Sequence, residues 1–405
     1  MLRQSTPTYY AHDSILVGTS RLTAVSTDHF PPAGASGSNA CLSVAIDVAP
    51  LLSPLTGVGG AVREITVALA ARSDISLMPY VCSFRGALQP DTTRLPLPAA
   101  VAQRVWGHFR GPRVDRWLEP AQVIHGTNYI VPPSRLPRVV TVYDCWFLRH
   151  PNQASANVAR AGRVLRRAVE SGAVVHACST ATSDAVRELL RTDRVETIPL
   201  AALTMDSSNE VAEPPVAELV GVPFVLAVGT LERRKNLPRL VAAFGLIAAT
   251  HPELRLVLAG ADGDDRDAIN TAIDALHPRA RDRVLCTGRV DDDAKRWFLQ
   301  HAQLLAYPSL DEGFGFPLLE AMGYDLPVVA STAGSIPEVA GDAAALVAAD
   351  DVTALAEALE NTLADSSSRS RLIAAGRLRL THYSWSETAS RLAGVYRRLA
   401  EEGTP

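Results

Sequence analysis

Residues 303–331 read QLLAYPSLDEGFGFPLLEAMGYDLPVVAS, and this stretch predicts how the chain folds. QLLAYPS and LPVVAS are short apolar runs bounded by turn residues, which is the pattern of buried strands. Between them DEGFG is typical of a loop, and Pro317 suits the first turn of a helix that continues through LLEAM. A strand, a helix and a second strand in this order form one unit of a parallel sheet.

The same alternation of strand and helix patterns runs along most of the chain. After the run CLSVAIDVA, the sequence AVREITVALAAR predicts a helix over residues 61–72, and PFVLAVGT begins a second series. We therefore predict an α/β protein with two doubly wound, Rossmann-like domains that face a cleft. Strands other than the two above are predicted over residues 41–49, 77–84, 122–127, 138–144, 173–179, 195–200, 223–230, 254–260 and 283–288.

An acidic stretch with two adjacent prolines separates the two series. DSSNEVAEPPVAELVG breaks the periodicity, and it predicts a linker over residues 206–220. Residues 41–205 carry 18 arginines and 12 acidic residues, whereas residues 206–405 carry 19 basic and 29 acidic residues, so the two halves suit different partners. We predict an N-terminal domain over residues 41–205, a C-terminal domain over residues 221–384, and a flexible extension over residues 1–40.

Composition argues against several classes of protein. Of 405 residues, 47% are hydrophobic and 20% are charged, and no apolar run approaches the ~18 residues that a membrane-spanning helix needs. The five cysteines are widely spaced and form no CxxC motif, which argues against a disulfide framework or a zinc site. With no secretion signal recognisable in residues 1–40, these features predict a cytoplasmic protein. We expect no metal and no nucleic-acid partner.

Ligands of doubly wound sheets bind at the carboxyl ends of the strands, so the residues after each strand are candidates for a site. The first candidate is TGVGG, residues 56–60, where glycine lets the backbone approach a phosphate and a helix start offers free N–H groups. A tight turn that needs glycine for packing is the plainer interpretation. An NAD-dependent enzyme is disfavoured because the next strand ends CSFR and not with an acid.

The second candidate is VGTLERRKNLPRLVAAF, in which Arg233, Arg234 and Lys235 follow a strand and precede a helix. Such a cluster suits charge-assisted contacts with a diphosphate, although a solvated basic turn would have the same composition. Lys235 and Lys295 are the only lysines among 39 basic residues. A lysine at this strand end therefore points to a specific role.

The third candidate is DEGFGFPLLE. The N–H groups of Phe314, Gly315 and Phe316 come at a helix start, which is a good seat for phosphate. Glu312 and Glu320 flank this seat. They are compatible with an anion if one accepts hydrogen bonds from ribose hydroxyls and the other meets a sugar on the far side. A solvated turn at Glu312 and a helix-dipole contact at Glu320 are the plainer alternatives.

The second and third motifs, with ASTAGSIPEVAGDAAALV and HYSWSETA, resemble the retaining glycosyltransferases of family 4, which have the GT-B fold. Gly59 and Gly60 match the glycine-rich turn of the acceptor domain in this family. The resemblance covers roughly residues 42–399 and is densest over residues 224–347. It implies that one glutamate contacts the donor sugar near the reacting carbon, that the other holds the ribose, and that the basic pair, the glycines and the helix start bind the diphosphate. The implied residues are Glu312 for the sugar, Glu320 for the ribose, and Arg234, Lys235, Gly59, Gly60, Gly313, Phe314, Gly315 and Phe316 for the diphosphate.

The resemblance also implies that a final helix, about residues 387–399, packs back onto the N-terminal, acceptor-binding domain. One departure concerns THD, which is common in the family where this chain has Thr141, Val142, Tyr143 and Asp144. Asp144 matches and is a candidate catalytic residue, whereas Tyr143 replaces the histidine that contacts the donor sugar.

Two further positions are of interest, one because it follows a strand and one because it departs from the family. His125 in VIHGTNYIVP follows a strand and is a candidate for facing the acceptor or sugar, with a structural histidine as the alternative. Asp325 stands where glycine is common, and we expect this to alter a turn and little else.

The implied reaction is metal-free transfer of a hexose from a nucleotide-diphosphate sugar, with retention, to a glycan or polyprenyl-diphosphate-linked acceptor. GTLERRKN and EGFGFP resemble bacterial mannosyltransferases of surface polysaccharides, which favours GDP-mannose as the donor. A nucleotide-sugar epimerase and a non-catalytic carbohydrate-binding protein of the same fold are the alternatives.

A basic and aromatic segment suggests where the protein could contact a membrane. In VAQRVWGHFRGPRVDRW, Arg104, Arg110, Arg113 and Arg116 interleave with three aromatic residues, and ARAGRVLRRAVE adds arginines at helical spacing, namely Arg160, Arg163 and Arg167. This composition suits an anionic membrane surface or a lipid diphosphate, so we expect peripheral contact with the inner face of the plasma membrane. Solvated arginines over a core-facing aromatic stripe are the alternative.

Overall fold

The computed structural model describes residues 41–52, 56–83, 88, 90–203 and 214–403. The predicted extension over residues 1–40 lies outside the described residues, as do residues 206–213 of the predicted linker. Within the described part of the chain, no helix is long and apolar enough to cross a membrane.

The first sheet has seven parallel strands in the order β3-β2-β1-β4-β5-β6-β7. Strand β1 lies in the interior, and the chain winds outward from it first in one direction and then in the other, which is the doubly wound arrangement. The strands are β1 (Leu42–Asp47), β2 (Ile75–Val81), β3 (Thr93–Arg94), β4 (Val123–Gly126), β5 (Arg138–Val142), β6 (Val174–Ala177) and β7 (Val195–Thr197).

The second sheet repeats this arrangement with six parallel strands in the order β10-β9-β8-β11-β12-β13. Its strands are β8 (Phe224–Val228), β9 (Arg255–Ala259), β10 (Val284–Gly288), β11 (Leu304–Tyr307), β12 (Val328–Ser331) and β13 (Ala344–Val347). The fold class predicted from the sequence, two doubly wound parallel sheets, is confirmed.

Helices connect the strands and cover the sheets. They are α1 (Gly57–Ala70), α2 (Ala99–Trp106), α3 (Trp146–Arg149), α4 (Ala156–Glu170), α5 (Thr180–Leu190), α6 (Leu237–Ile247), α7 (Arg266–Asp274), α8 (Pro278–Arg281), α9 (Asp292–His301), α10 (Phe316–Gly323), α11 (Ile336–Ala340), α12 (Val352–Ala364), α13 (Ser366–Leu380) and α14 (Trp385–Glu402).

Two strands were not predicted, and both are weak in sequence. Strand β3 has two residues, which is too short for any alternation to show. Strand β13 has the sequence AALV within an alanine-rich stretch, and alanine is depleted in strands. Both lie at the edge of their sheet, so neither changes the arrangement of the strands that lead to the cleft.

The last helix returns to the first sheet. Helix α14 packs against α1 and β4, and its apolar face contributes Leu392, Tyr396 and Leu399 to a core cluster that also contains Val44 and Ile65. Along its length it donates hydrogen bonds to the end of β7 and the backbone that follows, from Trp385 Nε1 to Ala202 O, Thr388 Oγ1 to Pro199 O and Arg391 Nη2 to Thr197 O.

Candidate active site

A cleft of about 450 Å³ opens at the carboxyl ends of strands from both sheets. The segments after β1, β5 and β7 form one wall, and those after β8, β9, β10 and β11 form the other. Because parallel strands all end at the same edge of their sheet, residues far apart in sequence meet here. Of the predicted site residues, the cleft is lined by Gly60, Tyr143, Asp144, Arg234, Lys235, Glu312, Gly313, Phe314, Gly315, Phe316 and Glu320.

Glu312 is buried in the cleft wall and paired with two cations. Lys235 Nζ donates to its Oε1 at 2.6 Å, and Arg234 Nη1 donates to its Oε2 at 2.5 Å. Burial acts to raise the pKa of this carboxyl, but the charges of Arg234 and Lys235 outweigh it and lower the pKa from 4.5 to about 2. Glu312 is therefore ionised at any pH at which the protein would work.

The two predicted diphosphate ligands have further partners. Arg234 Nη2 donates to Glu232 Oε1 at 2.7 Å and Arg234 Nη1 to the Asp311 carbonyl at 3.0 Å, while Lys235 Nζ lies 3.1 Å from the Tyr307 hydroxyl. Glu312 and Glu232 thus balance both cations. The binding of a diphosphate by Arg234 and Lys235 stays a prediction. It requires the diphosphate to contact these cations while Glu312 and Glu232 remain paired with them.

The loop that carries Glu312 presses against the end of β5. A Cβ atom on Gly313 would lie 1.5 Å from the Tyr143 carbonyl oxygen and 3.0 Å from Asp144 Cβ, so only glycine fits at this position. The Gly313 carbonyl accepts hydrogen bonds from Ser179 Oγ at 2.6 Å and Thr182 Oγ1 at 3.1 Å. This close approach sets Asp144 and Glu312 beside the same cleft.

Helix α10 begins as the sequence predicts. Gly315 is its N-cap with φ 87°, Pro317 lies in its first turn, and the backbone of Phe314 to Phe316 lines the cleft. The N–H groups of Gly315 and Phe316 donate to no other residue in the described part of the chain. They are available to an anion, with the positive end of the helix dipole behind them.

Glu320, one turn further along α10, is 2% exposed and paired differently from Glu312. Lys295 Nζ donates to its Oε1 at 2.6 Å. Its Oε2 is buried and has no hydrogen-bond partner among the described residues. A buried carboxylate oxygen without a donor is rare, and here it borders the cleft, so it suits a ligand that brings a hydroxyl.

Tyr143 occupies the place at which the family has a histidine. Its side chain lines the cleft and is 6% exposed, and its buried hydroxyl has no partner among the described residues. Burial raises the pKa of this phenol, so it is neutral and can donate a hydrogen bond. The neighbouring Asp144 accepts from the Trp146 N–H at 3.0 Å, and its own N–H donates to the Tyr129 hydroxyl.

The interpretation of His125 as a residue facing the acceptor or sugar is wrong. His125 belongs to β4, and its imidazole is fully buried against Tyr396 of α14 and does not line the cleft. Its Nε2 lies 2.8 Å from Thr141 Oγ1 and its Nδ1 lies 2.6 Å from the Tyr396 hydroxyl. Burial, with a smaller contribution from His176, lowers its pKa from 6.5 to about 3, so it is a neutral part of the core.

The glycine-rich turn also differs from the prediction. Residues 57–60 form the first turn of α1, with Thr56 as N-cap. The Gly59 N–H donates to Thr56 Oγ1 at 3.3 Å and the Gly60 N–H to Thr56 O at 2.8 Å, so these two donors are already used. The N–H groups nearest the cleft that remain belong to the preceding residues of this turn, Gly57 and Val58.

Several residues that line the cleft have no role predicted from the sequence. Lys295 had a visible signal, because it is the second of only two lysines in the chain. Tyr307 ends a predicted strand, and that position alone marks it as a cleft residue. The others follow strands or lie on helix starts without a distinguishing pattern, namely Arg63, Thr230, Glu232, Arg289 and Asp292.

Comparisons with known proteins find glycosyltransferases among the relatives of this chain. Residues 212–379 match the family model of glycosyl transferases group 1. The O-antigen chain mannosyltransferase B of Escherichia coli is 27% identical over 380 residues, which is 86% of this chain and 98% of that protein. A phosphatidyl-myo-inositol mannosyltransferase of Mycobacterium leprae is 26% identical over 373 residues, covering 84% of this chain and 90% of that protein.

Solved structures of similar shape support the fold. The sucrose-phosphate synthase of Thermosynechococcus elongatus superposes with a TM-score of 0.67 at 21% identity, over 89% of this chain and 100% of that chain. WaaG, a glycosyltransferase involved in lipopolysaccharide biosynthesis, superposes with a TM-score of 0.64 at 16% identity, over 88% and 99%. The matches favour a transferase over an epimerase or a non-catalytic binding protein. The chain contains a glycosyl transferases group 1 domain and is a glycosyltransferase of the GT-B fold.

Proposed function

We propose that this glycosyltransferase moves mannose, with retention, from GDP-mannose to a glycan or polyprenyl-diphosphate-linked acceptor in surface polysaccharide assembly. The observation that carries the proposal is the pair Glu312 and Glu320 flanking the start of α10. One carboxylate is held ionised by two cations, and the other has a buried oxygen without a partner among the described residues. The two mannosyltransferases named above support mannose as the sugar.

The starts of two helices support a diphosphate seat between the walls of the cleft. A Cβ atom on Gly57 at the start of α1 would lie 3.5 Å from the ring of Phe316 at the start of α10, so the two helix ends face each other. Both offer unused N–H groups and positive dipole ends. In the proposal the donor diphosphate lies between them, with Glu320 toward the ribose and Glu312 toward the sugar.

The proposed reaction breaks the bond between the anomeric carbon and the phosphate oxygen and forms a bond from that carbon to the acceptor oxygen on the same face. The acceptor proton passes to the leaving diphosphate. Ionised Glu312 stabilises the positive charge that develops at the anomeric carbon. Arg234, Lys235 and the helix N–H groups stabilise the leaving diphosphate, and no metal takes part in this proposal.

A second cavity, of about 760 Å³, supports a sugar as the acceptor group. It joins the cleft through Asp144 and Arg234, so an acceptor in it could reach the donor sugar. Its lining includes three aromatic rings and four amide side chains, which together suit sugar rings. They are Tyr129, Trp146 and Phe147, with Gln103, Asn128, Gln153 and Asn157. We place the accepting hydroxyl beside Asp144.

A third cavity, of about 410 Å³, supports peripheral contact with an anionic membrane. It lies at Arg138, the first residue of β5, whereas Asp144 follows the other end of that strand, about 20 Å away. Phe109 beside it is 65% exposed. A membrane bound here would leave the cleft open. Five arginines line it against a single acid, Glu170, and they are Arg110, Arg113, Arg135, Arg138 and Arg167.

The structure narrows the membrane prediction to part of the basic segment. Trp106 is 2% exposed and belongs to the core, so it does not face a membrane. Arg116 stacks on Trp117 at 3.9 Å, and Arg160 lines the second cavity. Salt-sensitive sedimentation with anionic but not neutral vesicles, lost in Arg110→Glu with Arg113→Glu, would support the contact. Equal recovery with both vesicle types at low salt would exclude it.

The donor is tested by thermal shift with GDP, UDP, dTDP and ADP sugars, followed by transfer assays. A true donor at ~100 times its dissociation constant adds ~2.7 kcal/mol of apparent stability. We expect GDP-mannose to give the largest shift and to transfer mannose with retention. A larger shift and transfer with another sugar would replace the donor. Inverted product stereochemistry would contradict the proposed mechanism.

A further inference from the structure

We propose that Glu338 is a positioning residue that holds the Glu312 loop against the first sheet, so that the two walls of the cleft keep the spacing that transfer requires. This proposal rests on the role proposed for Glu312. It concerns a contact between α11 and α5, which follow strands of different sheets.

The carboxylate of Glu338 lies at the N-terminus of α5. The Thr180 N–H donates to Oε1 and Oε2 at 2.9 Å each, Thr180 Oγ1 donates to Oε1 at 3.0 Å, and the Ala181 N–H donates to Oε2 at 3.3 Å. An anion at a helix start is stabilised by the free N–H groups and by the helix dipole. Helix α5 has no acid of its own in its first turn, so Glu338 supplies that charge from the other sheet.

The same helix start also holds the Glu312 loop. Ser179, the N-cap of α5, donates through Oγ to the Gly313 carbonyl, and Thr182 Oγ1 lies within hydrogen-bond distance of the carbonyls of both Gly313 and Tyr143. The first turn of α5 therefore contacts the residue after Glu312 and the residue before Asp144. Through these contacts the first turn of α5 connects the two walls of the cleft.

Glu338 and Glu312 are joined within the second half as well. The Ser335 N–H donates to the Glu312 carbonyl at 2.9 Å, and a Cβ atom on Gly334 would lie 2.5 Å from the Glu312 nitrogen. Helix α11, which carries Glu338, begins directly after these residues. Glu338 is therefore connected to the backbone of Glu312 through Gly334 and Ser335.

Arg379 and Tyr383 also hold the backbone of Glu338. Arg379 Nη2 donates to the Glu338 carbonyl, Arg379 Nε donates to the Val339 carbonyl at 2.8 Å, and the Tyr383 hydroxyl lies 3.3 Å from the Glu338 carbonyl. These contacts fix the direction of α11. Loss of the carboxylate should therefore leave α11 in place and leave the Glu312 loop held to α5 only through the Gly313 carbonyl.

Two substitutions break this contact from opposite sides. Glu338→Ala removes the carboxylate. Thr180→Pro removes the N–H and the hydroxyl of Thr180 at the first position of α5, which tolerates proline, and Ser179 before it is extended, as a residue before proline must be. Glu338→Gln keeps one acceptor oxygen. Glu360→Gln is the matched control, because it removes a half-buried carboxylate charge that is paired with His251 within the second half.

We expect Glu338→Ala and Thr180→Pro each to lower kcat by roughly 10- to 100-fold per folded molecule, because a displacement of about 1 Å at the reacting groups has effects of this size. The dissociation constant of GDP, measured by calorimetry, should stay within about 2-fold, since neither α5 nor α11 lines the cleft in which GDP is proposed to bind. Glu338→Gln should recover part of kcat. The double variant should be no worse than the worse single variant.

Hydrogen exchange tests the contact without relying on transfer. In Glu338→Ala, peptides over residues 178–183 and 310–316 should exchange faster together, whereas Glu360→Gln should leave both unchanged. Wild-type exchange in both peptides, wild-type kcat in Glu338→Ala, or additive losses in the double variant would each overturn the proposal. Faster exchange in a protein that transfers no sugar would uphold the contact and contradict the proposed function instead.

Discussion

Glu312 and Glu320 each pair with one of the only two lysines of the chain, yet the two carboxylates differ in what they can still bind. Lys235 Nζ lies 2.6 Å from Glu312, and Lys295 Nζ lies 2.6 Å from Glu320. Arg234 takes the second oxygen of Glu312. The second oxygen of Glu320 is buried without a partner in the described part of the chain.

This difference separates two ways in which a carboxylate can serve a ligand. A carboxylate whose oxygens are both taken by cations is fixed in place and acts on a ligand mainly through its charge. A carboxylate with one unused oxygen can accept a hydrogen bond and so select a hydroxyl. We therefore propose an electrostatic role for Glu312 and a recognition role for Glu320, and substitutions at each position can test this difference.

The largest effect is expected for Glu312→Gln. The amide keeps the size and removes the charge that stabilises a cationic sugar, so kcat should fall by ~100-fold or more. Because the variant frees Arg234 and Lys235 from their acid, the affinity for GDP should not weaken. Steady-state kinetics corrected for folded fraction, with calorimetry of GDP, test both statements. Wild-type kcat would end the catalytic assignment, and weaker GDP binding would place the diphosphate elsewhere.

The same variant tests the ionisation of Glu312. Its pKa in the folded protein, about 2, lies below the ordinary value of 4.5, so its ion pairs stabilise the fold above about pH 4.5 and lose this effect as the pH falls toward 2. The difference in unfolding free energy between wild type and Glu312→Gln should be constant above about pH 5 and shrink below it. A difference that also changes near neutral pH would contradict the lowered pKa.

An intermediate effect is expected for Glu320→Ala. Loss of the unused oxygen should raise the donor KM by roughly 10-fold, with a small change in kcat, because the contact is the same in the ground and transition states. The variant should also lose any preference for ribose over 2′- or 3′-deoxyribose donors, since the partner of those hydroxyls is gone. Kinetics with matched deoxy donors decide the matter, and a retained preference would remove Glu320 from the ribose site.

The smallest effect is expected for Asp325→Gly, just beyond the far end of the helix that carries Glu320. Asp325 has φ 55°, a conformation that favours glycine, and its carboxylate makes an exposed pair with Arg377. Relief of strain and loss of a surface pair should nearly cancel, so unfolding free energy should change by less than about 1 kcal/mol. Unchanged kcat is the expected result. A clear loss of activity would show that the turn supports the ribose side of the cleft.

Much of the cleft could be predicted from the sequence because local rules place it. Strand runs end at one edge of a parallel sheet, Pro317 marks a helix start, and RRK follows a strand, so Arg234, Lys235, Glu312 and Glu320 were all expected near one ligand. The structure brings these four side chains to one cleft. Hydrophobic periodicity does not predict that Lys235 pairs with Glu312 and Lys295 with Glu320.

The rest depends on long-range contacts or on local capping. His125 is a core residue because Tyr396, far along the chain, covers it, and nothing near His125 indicates this. Glu338 meets Thr180 across a similar gap in sequence. The start of α1, by contrast, is a local feature: threonine before a helix pattern is a preferred N-cap, and Thr56 places Gly59 and Gly60 inside the helix.

Because α14 packs on the first sheet, the N-terminal half of the chain cannot complete its fold before the C-terminal half has been synthesised. Domains usually fold as they leave the ribosome, N-terminal part first. Here the face of α1 and β4 stays uncovered, and the ring of His125 lacks the hydroxyl of Tyr396, until residues 385–402 have been made. The half that is synthesised first is therefore completed last, and the first sheet gains its full cover only once residues 385–402 are available to pack on α1 and β4.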